Sequence, residues 1–144
     1  MEYKVKIIDK ANVAIQFGYD KNDKNAIKKV DIKFDTIDEN VFSKGAGMLL
    51  KMTIEGDIKQ DGTTTDKLMG LFNWAKSEES EEQYRTVGVE ICNGDKRHLA
   101  YEFKNMFVVD YEEIYDASAR SQENSKFILK LTQQENNFND AKIL

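Results

Sequence analysis

Apolar residues in this chain recur at every second position almost throughout, and at helical spacing in one stretch only. A period of two turns successive side chains to opposite faces of a strand, so the chain reads as mainly β with a single helix. Tyr3, Val5 and Ile7 form one alternating set and Val13, Ile15 and Phe17 the next. Asp9–Lys10–Ala11–Asn12 between them reads as a hairpin turn. A polar loop over 19–26 precedes a half-buried strand at Val30, Ile32 and Phe34. Leu50, Met52 and Ile54 begin a long strand that runs to Ile58, with a bend expected at Gly56. Leu68, Leu71, Phe72 and Ala75 supply the helical spacing, with Met69 and Trp74 beside that face. Thr63 and Asp66 resemble a capping box, so the helix is placed at about 64–78. After it, Arg85–Ile91 and Leu99–Phe103 flank an Asn93–Gly94 hairpin signal. Lys104–Asn105 reads as a short break before a strand at Phe107, Val109 and Tyr111, and Phe127, Leu129 and Leu131 give a last strand.

About eight strands and one helix in 144 residues make one domain, 1–144, with no internal repeat. Hairpin turns between strands argue for an antiparallel barrel or sandwich, with the helix plugging an opening or covering a sheet. Two segments stand outside the pattern. A long loop over 36–47 has no periodicity but carries the apolar pair Val41 and Phe42, followed by Met48 and Leu49. A polar tail over 134–144 ends in Ile143 and Leu144. Apolar residues in a protruding loop or tail look for a partner surface, so these six residues are candidate subunit contacts.

Twenty-six acidic against 21 basic residues leave a formal charge of −5, which argues against specific nucleic-acid recognition. The apolar runs are too short to span a membrane. The single cysteine, Cys92, reads as a small buried hydrophobe and fits a reducing cytoplasm. The only histidine, His98, sits in a predicted strand and reads as solvent-facing. One Cys and one His cannot build a metal cluster, and no nucleophile motif or phosphate loop occurs. The reading is therefore non-enzymatic, with no catalytic residue, metal or cofactor.

The block Thr64–Ile91, with Phe72–Asn73–Trp74–Ala75 leading into Tyr84–Arg85–Thr86–Val87, resembles the tube proteins of contractile injection systems. That family includes phage tail tubes and the haemolysin-coregulated proteins (Hcp) of type VI secretion. Phe107–Glu113, a polar loop and Phe127–Leu131 are similar to its closing strands. The likeness is strongest over 48–134. The first strands lack the Ser and Trp of secreted type VI members, which points toward a phage-like or bacteriocin-like particle or a divergent system. The resemblance implies a β-barrel of two packed antiparallel sheets flanked by the helix. It further implies hexameric rings that stack into a hollow tube, with sheath, baseplate and spike proteins as partners and cargo in the lumen. Assembly in the cytoplasm would precede release as part of an extracellular or injected particle. Asp110, Glu112 and Glu113 are then candidates for a ring-stacking or lumen surface. The competing reading is a monomeric barrel that binds an apolar ligand in a cavity lined by Phe103, Phe107 and Trp74.

Overall fold

The computed structural model describes residues 1–36, 48–59, 62–77, 82–94, 96–116, 125–133 and 142–143. Its strands are β1 (Glu2–Ile8), β2 (Ala14–Phe17), β3 (Ile27–Thr36), β4 (Met48–Asp57), β5 (Arg85–Asn93), β6 (Lys96–Ile114), β7 (Lys126–Gln133) and β8 (Lys142–Ile143). The helix α1 spans Gly62–Ala75. All strand pairs are antiparallel, in the order β2-β1-β5-β6-β7-β4-β3, with β8 added to β6.

The 19-residue strand β6 joins the two halves of this single sheet. Its first part, Lys96–Met106, pairs with β5, and its second, Met106–Ile114, pairs with β7. Two irregularities turn it. Asn105 adopts φ 59°, and the β6–β7 register slips between Val108 and Asp110, leaving Val109 as the extra residue of a bulge. The inward positions are therefore Tyr101, Phe103, Met106, Val108 and Tyr111, with two steps of three among steps of two. This is why the sequence around 103–111 is apolar on both apparent faces. What reads as two strands with a break at Lys104–Asn105 is one bent strand. Phe107 and Val109 do not point inward: Val109 is exposed, and Phe107 packs edge-on against Tyr84.

The inner faces of both halves close on one core. Leu50, Met52 and Ile54 of β4 lie beside Leu129 and Leu131 of β7, and Val87 of β5 sits opposite Phe103. Cys92 is buried, as expected, and His98 is exposed. At Gly56 the expected bend is a close approach. Phe127 lies directly over it, and a Cβ there would stand 2.5 Å from the ring. The first hairpin turn is held by the Asp9 carboxylate, which accepts from the amides of Ala11 and Val13, with Asn12 at φ 63°. In the second hairpin Asn93 still pairs with Lys96, so the turn starts at Gly94, φ 65°, rather than at Asn93. The tail is not free along its whole length, because Lys142 and Ile143 pair with Glu102 and Tyr101.

The helix starts two residues earlier than its spacing suggests and ends at Ala75. Thr63 therefore lies inside the first turn, and Asp66 falls beyond it. The buried residues are Leu68, Leu71 and Trp74. Phe72 and Met69 are exposed, which reverses the expected roles of Phe72 and Trp74. Both sets have helical spacing, and the Trp74 set wins because its indole Nε1–H donates to the Gln83 carbonyl at 2.8 Å. Burial of a Trp is thus reached without an orphaned donor.

A second tie anchors α1 at its other end. The Lys67 ammonium lies 2.6 Å from the Asp23 carboxylate and over the Phe17 ring, with both charged side chains mostly buried. Burial alone would raise the Asp23 pKa. Hydrogen bonds from Lys67 and from the Gly18 and Asp20 amides, together with the Lys67 charge, outweigh it and hold the pKa below 3.8. A depressed carboxylate contributes stability in full above its unfolded value and loses it as pH falls through its folded value. Asp23→Asn is thus expected to cost about 2–3 kcal/mol near pH 7, since it leaves a mostly buried lysine unpaired. It should also flatten the fall in Tm below about pH 4. Thermal melts across pH check both, and a variant whose acid limb matches the parent would show that the pair contributes nothing.

Candidate assembly surfaces

The described surface carries two apolar regions that the fold leaves uncovered. The first is the open edge at β3. Val30, Ile32 and Phe34 lie opposite Ile54, Met52 and Leu50, so they belong to the inner face of their sheet. At the end of this row Phe34 is 50% exposed. Along the same strand Lys29, Asp31, Lys33 and Asp35 point outward. Lys29 pairs with Asp31 and Asp35 with Lys51, contacts that are exposed and worth little to stability.

The second is a groove of about 510 Å3 between α1 and the ends of β4 and β6. Met69 and Phe72 form its helical wall, 59% and 53% exposed, and Ile58, Leu68 and Tyr115 complete the apolar lining. Lys76 lies over the Phe72 ring, 5.6 Å from its centroid. Glu113 reaches the groove from the inward side of β6 and accepts the Tyr111 hydroxyl at 2.8 Å. The Tyr111 phenol is raised far above its ordinary pKa by burial first, then by the hydrogen bond to Glu113 and its charge, so it stays a donor.

The residues singled out from sequence fall into separate places. Asp110 and Glu112 are exposed on the outer face of β6, opposite Lys130 and Ile128. Glu113 points the other way, so the three acids do not form one surface. Met48 pairs with Thr36 at the start of β4, and Leu49 beside it is half-buried opposite Asp35. Ile143 is 66% exposed on β8, which pairs with the first part of β6. Val41, Phe42 and Leu144 lie outside the described residues. The sequence reading missed Phe34, Met69, Phe72 and Tyr115 as exposed apolar residues. For Met69 and Phe72 a signal existed, since a helix that buries Leu68, Leu71 and Trp74 must turn both outward.

No cluster of metal-ligating side chains forms among the described residues, and no helix is long and apolar enough to cross a membrane. Trp74 and Phe103 are buried in the packed core and Phe107 packs on Tyr84, so the three do not converge on one cavity.

No protein-family model and no curated protein matches the sequence. Solved structures do match. Hcp1 from the EAEC 042 pathovar of E. coli superposes with a TM-score of 0.64 over 100% of this chain and 98% of that one, at 8% identity. The chain has the Hcp fold. Hcp1 from Flavobacterium johnsoniae matches with a TM-score of 0.57, again at 8% identity, over 100% and 98% of the two chains. A component of the PVC sheath–tube complex, an extracellular contractile injection system, gives 0.54 at 15% identity over 99% and 87%. The Hcp fold is thus carried here by the order of strands, helix and strands, with almost no sequence in common. The mainly β architecture with one flanking helix, expected from the alternation and the resemblance, is borne out.

Proposed function

We propose that this chain is a structural subunit of the inner tube of a contractile injection particle. The observation that carries the reading is the end-to-end match to Hcp1 together with the match to a component of a sheath–tube complex. The uncovered apolar surfaces support it. A closed ring of identical subunits joined head to tail uses two different, complementary patches on each copy. The β3 edge around Phe34 and the groove beneath Met69 and Phe72 are two such patches, too apolar to be left to water without a partner. Six copies would close a ring, a number in keeping with the structurally similar chain from the anti-feeding prophage baseplate, whose structure is six-fold symmetrised. Rings would then stack, and sheath, baseplate and spike proteins of the same particle would be the further partners. Assembly would take place in the cytoplasm before the particle is released or injected.

The segment 36–47, with Val41 and Phe42, remains a candidate subunit contact, and deleting Asn40–Gly47 is expected to leave a folded monomer that no longer makes long tubes. Tubes of parental length from that variant would remove the segment from the account. The reading as a whole is tested by light scattering over a concentration series. A mass near six subunits that persists on dilution is the expected result. The alternative, a monomeric barrel with an apolar ligand, finds no enclosed apolar cavity at the residues expected to line it, and a monomer at every concentration would be needed to revive it.

A further inference from the structure

One side of β6 changes partner along its length. β7 pairs with that side from Ile114 back to Met106, which faces Gln133. β8 then takes it up again, with Lys142 opposite Glu102 and Ile143 opposite Tyr101, while β5 holds the other side. β8 is thus a resumption of β7 in the same direction. A direct continuation would need three residues, opposite Asn105, Lys104 and Phe103, whereas eight, 134–141, separate Gln133 from Lys142. Fully extended, that connection reaches about 30 Å, more than twice the roughly 13 Å from Met106 to Glu102 along the strand. The contact within one chain is small. β8 has two residues and Ile143 is 66% exposed, so little apolar burial stands behind the backbone pairing. Leu99, on the same face of β6 as Tyr101, is 41% exposed. Among the described residues no strand pairs with this side of β6 at Lys96–Ala100, so the edge stays open beyond β8.

An open strand edge is a template for a strand of another chain. We propose that β8 is an exchanged strand: on assembly, Lys142–Ile143 of one copy pairs with Glu102–Tyr101 of a second copy. The proposal rests on the tube reading for the identity of the neighbour. The backbone bonds are the same within one chain and between two, so exchange of an identical element costs little, and the spare length of the connection lets β8 reach the next copy. Exchange sets the exposed Ile143 and Leu99 against a neighbouring subunit, where each gains burial that the single chain does not supply. Within a closed ring the same link is made by every copy, and the other subunit contacts hold β8 beside its acceptor at a high effective concentration.

The test uses the full chain carrying Cys92→Ala, so that its only natural thiol takes no part. Glu102→Cys and Lys142→Cys are made in separate chains, mixed, assembled and oxidised. Directly opposed residues of antiparallel strands lie about 4.5–5.5 Å apart at Cα, within disulfide reach. Circular dichroism confirms folding. The expected result is a covalent dimer of the two different chains in the assembled fraction, at least tenfold more abundant than any dimer of either variant alone. A variant lacking 142–144 should keep its fold and need at least a tenfold higher concentration to assemble, read by light scattering. A mixture that assembles without the mixed dimer, while a chain carrying both cysteines closes its disulfide internally, overturns strand exchange and leaves the tube reading standing. A parent that stays monomeric at every concentration overturns both.

Discussion

Trp74→Ala is expected to destabilise the fold by about 3–5 kcal/mol, a large share of the roughly 5–15 kcal/mol that holds a domain of this size. The indole is 1% exposed and wedged between α1 and the sheets. Its loss opens a cavity, removes the hydrogen bond to the Gln83 carbonyl and takes away the surface on which Arg85 rests. Trp74→Phe keeps most of the ring but not the Nε1 hydrogen bond, and should cost about 1–2 kcal/mol. Chemical denaturation followed by circular dichroism measures both, since the only tryptophan is the one removed. A cost below about 1 kcal/mol for the alanine variant would mean that α1 is not a structural member of the core.

The opposite signature is expected at Phe34 and Phe72. Both are about half exposed, so Phe34→Lys and Phe72→Glu should change stability by less than about 0.5 kcal/mol. If they are the two halves of one subunit contact, each should weaken assembly by roughly a hundredfold, the effect of losing about 2–3 kcal/mol at an interface centre. Light scattering gives the assembly constant and thermal melting the stability. The pattern distinguishes an interface from a core: large in association, small in folding. Variants that assemble like the parent would place the subunit contact on another face.

Alternation and turn residues made most of the strands legible, because a period of two reports directly which side of a sheet is buried. Leu50, Met52 and Ile54 fill the core as read. What was illegible depends on contacts distant in sequence. The bulge at Val109 and the bend at Asn105 make one strand look like two, and only pairing with both β5 and β7 shows its continuity. The choice between Phe72 and Trp74 for the buried face of α1 is decided by the Gln83 carbonyl beyond the helix end. Ile143 gave no sign of its strand, since two residues carry no period; Tyr101 supplies the partner. Surfaces were the least legible part. Phe34 alternates like a core residue and lies exposed because the sheet ends beside it. Arg85 looks like any strand-initiating arginine until the bend in β6 places it over Trp74.

Negative-stain electron microscopy of the purified protein, at the concentrations used for light scattering, tests the central claim most directly. The account predicts six-fold rings with a central opening and, at higher concentration, hollow tubes of uniform width. Compact single particles with no ring or tube at any concentration would contradict it.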